Sequence, residues 1–295
     1  MKNKICSVDT KYPIICWEII KKCNYNCNYC IAKEFKNSPN KVPNYHKILS
    51  NFNKIDFKFD VRILGGEPLL DINLYKIMLS LCKIPNSNKV YLFTNFSLTN
   101  HLKNILVKLQ KENLLNKIEI IYSYHPESHN SFFKDILNLS KLFKINYRIN
   151  INIEHNKQQI YYDNIDNIVK KYGNLNLRFH PIIDNNWDTS KPLSKEIMEL
   201  HIKNPNIKFF NGSEVIYNNV KIEEIDLFLK RGNYNFKGWK CFPKHYHIDE
   251  NGLFYNSCTL QKIEILTNKT LIKDIICPVS NCTIPIRATF DKEEI

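Results

Sequence analysis

The sequence predicts an α/β protein built on a partial barrel, because short strands alternate with helices. β-Branched or aromatic runs typical of buried strands lie at residues 15–20, 61–64, 90–93, 118–122, 147–151 and 177–182. Segments with apolar residues at helical spacing lie at 44–55, 71–82, 99–112, 129–143, 157–172 and 194–203. Such alternation favours parallel strands joined by right-handed crossovers. Six units fall short of the eight that close a full barrel, so we expect an open, TIM-like (β/α)6 barrel.

The pattern changes after about residue 205. Apolar runs become shorter, residues 212–222 resemble a β-hairpin, and four of the ten cysteines follow residue 240. We therefore expect the barrel to occupy residues 1–205 and a small, cysteine-rich α+β module to occupy 206–295.

Composition excludes several classes of protein. Hydrophobic residues make up 43% of the 295 and charged residues 24%, which fits neither a disordered nor a fibrous chain. No apolar stretch reaches about 18 residues and no signal peptide precedes the first strand, so we expect a cytoplasmic protein without a membrane partner. The formal net charge is +13, but the lysines are evenly spread, so a nucleic-acid partner is not expected.

Ten cysteines in a chain expected in a reducing compartment indicate metal or redox chemistry rather than disulfides. Three of them, Cys23, Cys27 and Cys30, follow the first predicted strand with the spacing C-x3-C-x2-C. Three thiolates from one loop can hold an iron–sulfur cluster and leave its fourth iron open to a ligand that is not protein. A structural zinc site is the alternative, but it usually needs four protein ligands.

The cysteine loop, with Tyr29 before its last cysteine, resembles the signature of the radical S-adenosylmethionine (SAM) superfamily. The resemblance continues at the ends of the next three strands, in Gly65, Gly66, Glu67, Pro68, Thr94, Asn95 and Ser123. It implies that the glycine-rich turn places a backbone edge and an acidic side chain against the SAM amino group, and that the later residues approach SAM or the substrate. Asn152, near the end of strand five, is a further candidate contact.

Two positions depart from the family pattern. The Gly that often follows the Thr-Asn pair is Phe96 here, and Ser123 leads into Tyr-His-Pro-Glu rather than an Asp-Gly turn. Contacts to the SAM ribose and carboxylate are therefore left open.

The resemblance also implies cofactors and a reaction type. A [4Fe–4S] cluster and SAM would together generate a 5′-deoxyadenosyl radical, with a flavodoxin- or ferredoxin-like protein as the reductant. The radical would abstract hydrogen from a substrate at the barrel mouth. The candidates to orient that substrate or take a proton lie near strand ends, and they are Tyr124, Arg148, Arg178 and His180.

Four cysteines near the C-terminus form a second candidate metal site, made of Cys241, Cys258, Cys277 and Cys282. Together with the turn at Gly252 they resemble the SPASM/Twitch extensions of the same superfamily, which implies a second [4Fe–4S] cluster. Four thiolates suit zinc equally well, so the metal stays open at this point. Cys16 and Cys82 are expected to be small buried apolar side chains, and Cys6 to be incidental.

The predicted function is a net oxidation of a small or carbohydrate-type molecule by a radical SAM enzyme. Crosslinking or epimerisation of a ribosomal peptide is the alternative within that class. A non-catalytic zinc protein that binds nucleic acid is the alternative from another class. The sequence leaves the substrate, the net reaction and the oligomeric state undetermined.

Overall fold

The computed structural model describes residues 3–7, 11–27, 29–30, 43–125, 128–154, 167, 171, 175–182, 208–209, 214–223, 235–278 and 291–295. These residues divide into two compact units. The first unit comprises Met1–Lys11, Asn150–Lys244 and Ile272–Ile295, and the second comprises Tyr12–Ile149 and His245–Leu271. The division into a barrel and a C-terminal module at residue 205 stays a prediction.

The second unit contains a sheet whose central strands are parallel. Its strands are β2 (Ile14–Ile20), β3 (Phe59–Gly65), β4 (Ser87–Thr94), β5 (Ile118–Tyr124), the start of β6 (Asn146–Glu154), β12 (His245–Ile248), β13 (Phe254–Asn256) and β14 (Lys262–Ile263). Their order is β14-β13-β12-β2-β3-β4-β5-β6, and β2 to β5 pair in parallel. The first five predicted strands are confirmed. The carboxyl ends of β2 to β5 therefore share one edge of the sheet.

Helices follow these strands as the apolar spacing predicts. They are α1 (Tyr45–Asn53), α2 (Leu74–Lys83), α3 (Thr99–Lys111) and α4 (Phe132–Phe143), with 3-10 turns at Pro68–Leu70 and Leu115–Lys117. Asn44 caps α1 by accepting a hydrogen bond from the Lys47 amide. The helices predicted at 157–172 and 194–203 lie almost wholly outside the described residues.

The hydrophobic core of the second unit lies between the sheet and its helices. Trp17 on β2 stands in register with Ile63 on β3, and Ile63 with Leu92 on β4, and all three are buried. Phe52 of α1 packs its ring 5.8 Å from that of Trp17. Because side chains alternate along a strand, the residues next to these three point to the opposite face.

The C-terminal segment contributes strands to the same sheet, which the sequence did not predict. β12 pairs in parallel with β2, setting His247 beside Cys16, and β13 pairs antiparallel with β12. The turn between them docks on α1, where the buried Asn51 amide donates a 2.8 Å hydrogen bond to the Gly252 carbonyl. Residues 245–271 thus extend the sheet beyond its first strand.

The first unit contains a six-stranded sheet of short strands. Its order is β10 (Val220–Glu223), β9 (Glu214–Tyr217), β1 (Lys4–Ser7), β16 (Lys292–Glu293), β11 (Lys240–Cys241) and β15 (Ile275–Ile276). β9 and β10 form the predicted hairpin, with Asn218 and Asn219 at positive φ in its turn. β7 (Leu177–Ile182), the sixth predicted strand, is confirmed, and it pairs in parallel with β8 (Lys208–Phe209).

Among the described residues, none of the helices combines the length and the apolar character that a bilayer crossing requires.

Phe96 occupies a backbone position that suits glycine. Its φ is +61°, in the left-handed region, and its side chain is fully buried. The ring lies 4.9 Å from that of Tyr122 and 5.8 Å from those of His129 and Phe132. Burial of this aromatic side chain offsets a backbone conformation that costs an L-residue about 1–2 kcal/mol. The departure from the family pattern at this position therefore has a packing reason.

We expect Phe96→Ala to lower the free energy of unfolding by about 3–5 kcal/mol, because it empties a buried aromatic site. Phe96→Gly leaves the same cavity but removes the left-handed strain, so it should be at least as stable as Phe96→Ala. This order is the reverse of the usual one, in which glycine costs roughly 0.5–1 kcal/mol relative to alanine. Urea unfolding of both variants measures this difference in stability. A glycine variant that is clearly less stable than the alanine variant would contradict the strain assigned to Phe96.

Candidate functional site

The cysteine loop begins where β2 ends. Cys27 is buried, whereas Cys23 and Cys30 are half-buried. The Cys30 amide donates a 3.2 Å hydrogen bond to the Cys27 carbonyl, which closes a turn between the last two cysteines. The loop therefore offers three thiols at the carboxyl edge of the sheet, as the spacing predicted.

The donor set of the loop, three thiols, suits an iron–sulfur cluster. Among the residues that the structure describes, no three Cys, His, Asp or Glu side chains converge closely enough to hold one metal ion. A four-iron cluster binds each thiolate to a different iron, so its ligands stand farther apart than those of a single zinc ion. Three cysteines on one short loop match that requirement.

The two glycines after β3 pack against the backbone that leads into the cysteine loop. A Cβ on Gly65, whose φ is +142°, would lie 2.2 Å from the Ile20 carbonyl oxygen. A Cβ on Gly66 would lie 2.2 Å from the Lys22 carbonyl oxygen and 2.5 Å from that of Lys21. The predicted approach to SAM stays a prediction, and in this structure the group that approaches the two glycines is the chain itself just before Cys23.

Hydrogen bonds hold the same contact in place. The Gly66 amide donates to the Ile20 carbonyl at 2.8 Å, and the Glu67 amide donates to the Lys22 carbonyl at 2.9 Å. These bonds extend the pairing of β2 and β3 to within one residue of the first cysteine. The glycine-rich turn thereby fixes where the cysteine loop starts.

The Glu67 carboxylate is fully buried and joins the ends of β3 and β4. Oε1 accepts from the Leu69 amide at 2.9 Å and from the Thr94 hydroxyl at 2.8 Å, and Oε2 accepts from the Asn95 amide at 2.7 Å. Burial raises the pKa of Glu67, and these three hydrogen bonds oppose the rise. Pro68 follows as the first residue of a 3-10 turn, a position that needs no amide hydrogen.

Thr94 and Asn95 connect this carboxylate to the cysteine loop. The Thr94 hydroxyl donates to Glu67 and accepts from the Phe96 amide at 2.9 Å, so both its polar functions are used within the chain. The Asn95 side chain donates to Asn24 Oδ1 at 3.0 Å and lies 3.9 Å from Cys23 Sγ. Asn95 is therefore a strand-end side chain that reaches the loop directly.

His125 is a site residue that the sequence analysis missed. It follows β5 at the same sheet edge and is buried, and its Nδ1 lies 3.2 Å from Cys27 Sγ and 2.6 Å from the Tyr29 hydroxyl. Its ring stacks on Tyr29 with an interplanar angle of 3°. The signal was available in the Tyr-His-Pro-Glu departure after Ser123, which places a histidine where a strand end meets the cysteine loop.

Other predicted residues of the second unit lie on β5 and β6. Ser123 and Tyr124 are half-buried on β5, and Tyr124 packs its ring 5.1 Å from that of Phe133. Burial raises the pKa of Tyr124, which makes it a poor base at neutral pH. Arg148 is half-buried on β6 and contributes charge near Tyr91.

Three predicted residues belong to the first unit. Asn152 lies on β6 and is half-buried. Arg178 lies on β7, where its guanidinium donates a 2.9 Å hydrogen bond to the Leu177 carbonyl. His180 also lies on β7, but its side chain is outside the described part of the structure. Their roles stay predictions.

The C-terminal cysteines are distributed over both units. Cys241 and Cys277 are buried in the first unit, where Cys241 is on β11 and Cys277 directly follows its partner strand β15. Cys258 is half-buried in the second unit, after β13. Cys282 lies outside the described residues. The four-cysteine ligand set therefore stays a prediction from the sequence.

A row of polar residues crosses the face of the sheet opposite the helices. One residue from each of five neighbouring strands stands in register, and the row reads His247, Cys16, Arg62, Tyr91 and Glu119. Burial raises the pKa of Tyr91 to about 12, with the carboxylates of Asp60 and Glu119 adding to the rise. Barrel interiors are usually filled by branched apolar side chains, so a polar row on this face is unusual.

Two other cysteines are buried as expected. Cys82 lies within α2, where burial raises the pKa of its thiol to about 12. Cys16 is also buried, but its Sγ lies 3.1 Å from His245 Nε2, and His245 Nδ1 lies 2.5 Å from the Ser257 hydroxyl. Cys16 thus belongs to a hydrogen-bonded group rather than to the apolar core alone.

Comparison with known proteins identifies the second unit most clearly. Residues 17–141 match the radical SAM superfamily. The GTP 3′,8-cyclase of Aquifex aeolicus is 29% identical over 197 residues, which cover 61% of each chain. That of Staphylococcus epidermidis is 29% identical over 201 residues, which cover 61% of this chain and 58% of that protein. The chain spans about three fifths of the length of the curated relatives it matches.

Solved structures share the fold. Native anSMEcpe with bound AdoMet and Cp18Cys peptide has a TM-score of 0.53 and 17% identity, over 84% of this chain and 75% of that one. Streptococcus suis SuiB bound to S-adenosylmethionine has a TM-score of 0.51 and 16% identity, over 85% of this chain and 63% of that one. These likenesses confirm the predicted fold class, an α/β partial barrel.

Proposed function

We propose, from the premise that residues 17–141 form a radical SAM domain, that this chain is an enzyme that applies radical chemistry to a polar substrate. Such a domain uses a [4Fe–4S] cluster and SAM. The observation that carries the proposal is the cysteine loop, whose three thiols stand at the carboxyl edge of the sheet beside the ends of β3, β4 and β5. Cys23, Cys27 and Cys30 would be the cluster ligands.

With both cofactors bound, the domain supplies a 5′-deoxyadenosyl radical. The protein's part is to hold the cysteine loop in position and to orient the substrate. The Gly65–Gly66 backbone fixes the start of the loop, and Asn95 ties it to the end of β4. A contact between Glu67 and the SAM ammonium is part of the proposal by resemblance, whereas in this structure the carboxylate is fully buried and both its oxygens accept hydrogen bonds from the chain.

A polar substrate is supported by the curated relatives rather than by the polar row, which lies before the carboxyl edge of the sheet. Arg62, Tyr91 and Glu119 present a cation, a phenol and a carboxylate on one face, and the three side chains are half-buried. The name of the curated relatives, GTP 3′,8-cyclase, is in keeping with a nucleotide-type substrate. A net oxidation of a small or carbohydrate-type molecule remains our proposal.

Modification of a peptide is the second candidate. The likeness to anSMEcpe, whose solved structure holds a Cp18Cys peptide, favours it. A flavodoxin- or ferredoxin-like protein would supply the electron in either case. A second [4Fe–4S] cluster on Cys241, Cys258, Cys277 and Cys282 would serve as an electron acceptor in the oxidation.

We expect the anaerobically reconstituted, dithionite-reduced protein to release 5′-deoxyadenosine from SAM, and Cys27→Ala to reduce the release to background, since three thiolates are needed to hold the cluster. Release is measured by chromatography. Cys82→Ala is the matched control, because Cys82 is equally buried but lies in α2 away from the loop. It should release as much as the wild type.

The same assay separates the competing functions. A cognate substrate should accelerate release, so nucleotides and sugar nucleotides are compared with peptides. Iron analysis gives about eight irons per chain for two clusters and about four for one. Bound zinc without iron, or normal release by Cys27→Ala, would contradict the proposed function and favour a non-catalytic zinc protein.

A further inference from the structure

The cysteine loop is wrapped around the imidazole of His125. The Tyr29 ring stacks on the imidazole at a centroid distance of 6.0 Å, and the Tyr25 ring meets it edge-on at 5.5 Å. The Cys27 thiol lies 3.2 Å from Nδ1. Three residues of the loop thus contact the side chain of His125, which directly follows β5. Only 9% of the surface of His125 is exposed.

Hydrogen bonds to Ser128 hold the backbone of His125. Its amide donates to the Ser128 hydroxyl at 3.0 Å, and its carbonyl accepts from the Ser128 amide at 2.9 Å. Ser128 therefore holds the His125 backbone just beyond β5. A side chain whose backbone is held in this way can fix the position of whatever packs around it.

From this geometry we propose that His125 is a positioning residue, which holds the cysteine loop through its ring and donates a hydrogen bond from Nδ1 to the Cys27 thiolate. The inference rests on the proposed role of Cys27 as a cluster ligand. A thiolate can only accept, so Nδ1 must carry the hydrogen, and the Tyr29 oxygen at 2.6 Å then accepts from the same N–H. None of the residues named in the sequence analysis was assigned this role.

Donation to a ligand sulfur has a measurable consequence. Reduction adds negative charge to the cluster and its thiolates, and a hydrogen-bond donor stabilises the more negative state. His125 should therefore raise the reduction potential of the cluster and make the first electron easier to deliver.

The test compares His125→Leu with His125→Asn. Leucine keeps an apolar side chain but donates no hydrogen bond, so the reduction potential of the cluster should fall. At a fixed solution potential, the ratio of reduced to oxidised cluster should be about tenfold smaller than in the wild type. The Asn amide nitrogen stands at about the position of Nδ1, so His125→Asn should restore most of the loss. Midpoint potentials come from redox titration followed by electron paramagnetic resonance, with iron content per chain measured on each sample.

Tyr29→Phe is the matched control, because it keeps the stacked ring and removes only the hydroxyl bond to Nδ1. Its potential should be no lower than that of the wild type, because the Nδ1 hydrogen is then left to Cys27. Equal potentials in the wild type and His125→Leu, both with full iron, would overturn the inference and leave the proposed function intact. A reduction potential as low in His125→Asn as in His125→Leu would also overturn the inference. A wild type that binds no iron and releases no 5′-deoxyadenosine would instead contradict the proposed function.

Discussion

Gly66→Ala should destabilise the second unit by about 3 kcal/mol, because the new methyl group would meet backbone atoms that cannot move aside. Its Cβ would lie 2.2 Å from the Lys22 carbonyl oxygen and 2.5 Å from that of Lys21. Relief requires β2 and the end of β3 to separate, which would break the bond between the Glu67 amide and the Lys22 carbonyl. Urea unfolding measures the loss.

The same substitution should reduce cluster loading, since Lys22 directly precedes Cys23. Iron per chain after reconstitution is the second measurement. Gly238→Ala is the matched control, because Gly238 has a positive φ of 83° but nothing within 4 Å of its Cβ position. It should cost only the conformational strain, about 1 kcal/mol. Equal effects of the two substitutions would contradict the packing role of Gly66.

The glycine-rich turn illustrates what a sequence can predict. Two adjacent glycines after a strand indicate that some group approaches the backbone closely, and the structure has that approach. Which group approaches depends on the pairing of β2 with β3, a contact between distant parts of the chain. Local pattern predicts the strands themselves, and for that reason all six strand runs were found at their predicted places.

β12 and His125 show what the sequence alone could not predict. β12 joins β2 although most of the chain separates them, and the run His245–Ile248 is too short to indicate a partner. His125 became recognisable as a site residue only when Tyr25, Tyr29 and Cys27 were found around it. Glu67 was predicted from the motif, but its hydrogen bonds to Thr94 and Asn95 depend on the pairing of β3 with β4.

Glu67→Ala should be the most destabilising polar substitution in the site, with a loss of about 4 kcal/mol or more, because it leaves three buried donors without their acceptor. Glu67→Gln should cost less, about 2 kcal/mol. Its amide keeps one oxygen for the Leu69 amide and the Thr94 hydroxyl but turns a donor toward the Asn95 amide. Glu112→Gln is the control: Glu112 pairs with Lys83 at 2.8 Å on the surface, and such pairs contribute at most about 1 kcal/mol.

The difference between the wild type and Glu67→Gln should also depend on pH. Burial raises the pKa of Glu67 above its ordinary value of 4.5, so the unfolded chain loses this proton at a lower pH than the folded chain does. The advantage in stability of the wild type over Glu67→Gln is therefore largest below pH 4.5, the ordinary pKa of the group. It is lost as the pH rises through the pKa that Glu67 has in the folded chain. Glutamine does not titrate, so the gap in unfolding free energy should shrink with rising pH and then level. A gap that widened instead would show that the three hydrogen bonds outweigh burial and hold the folded pKa below its ordinary value.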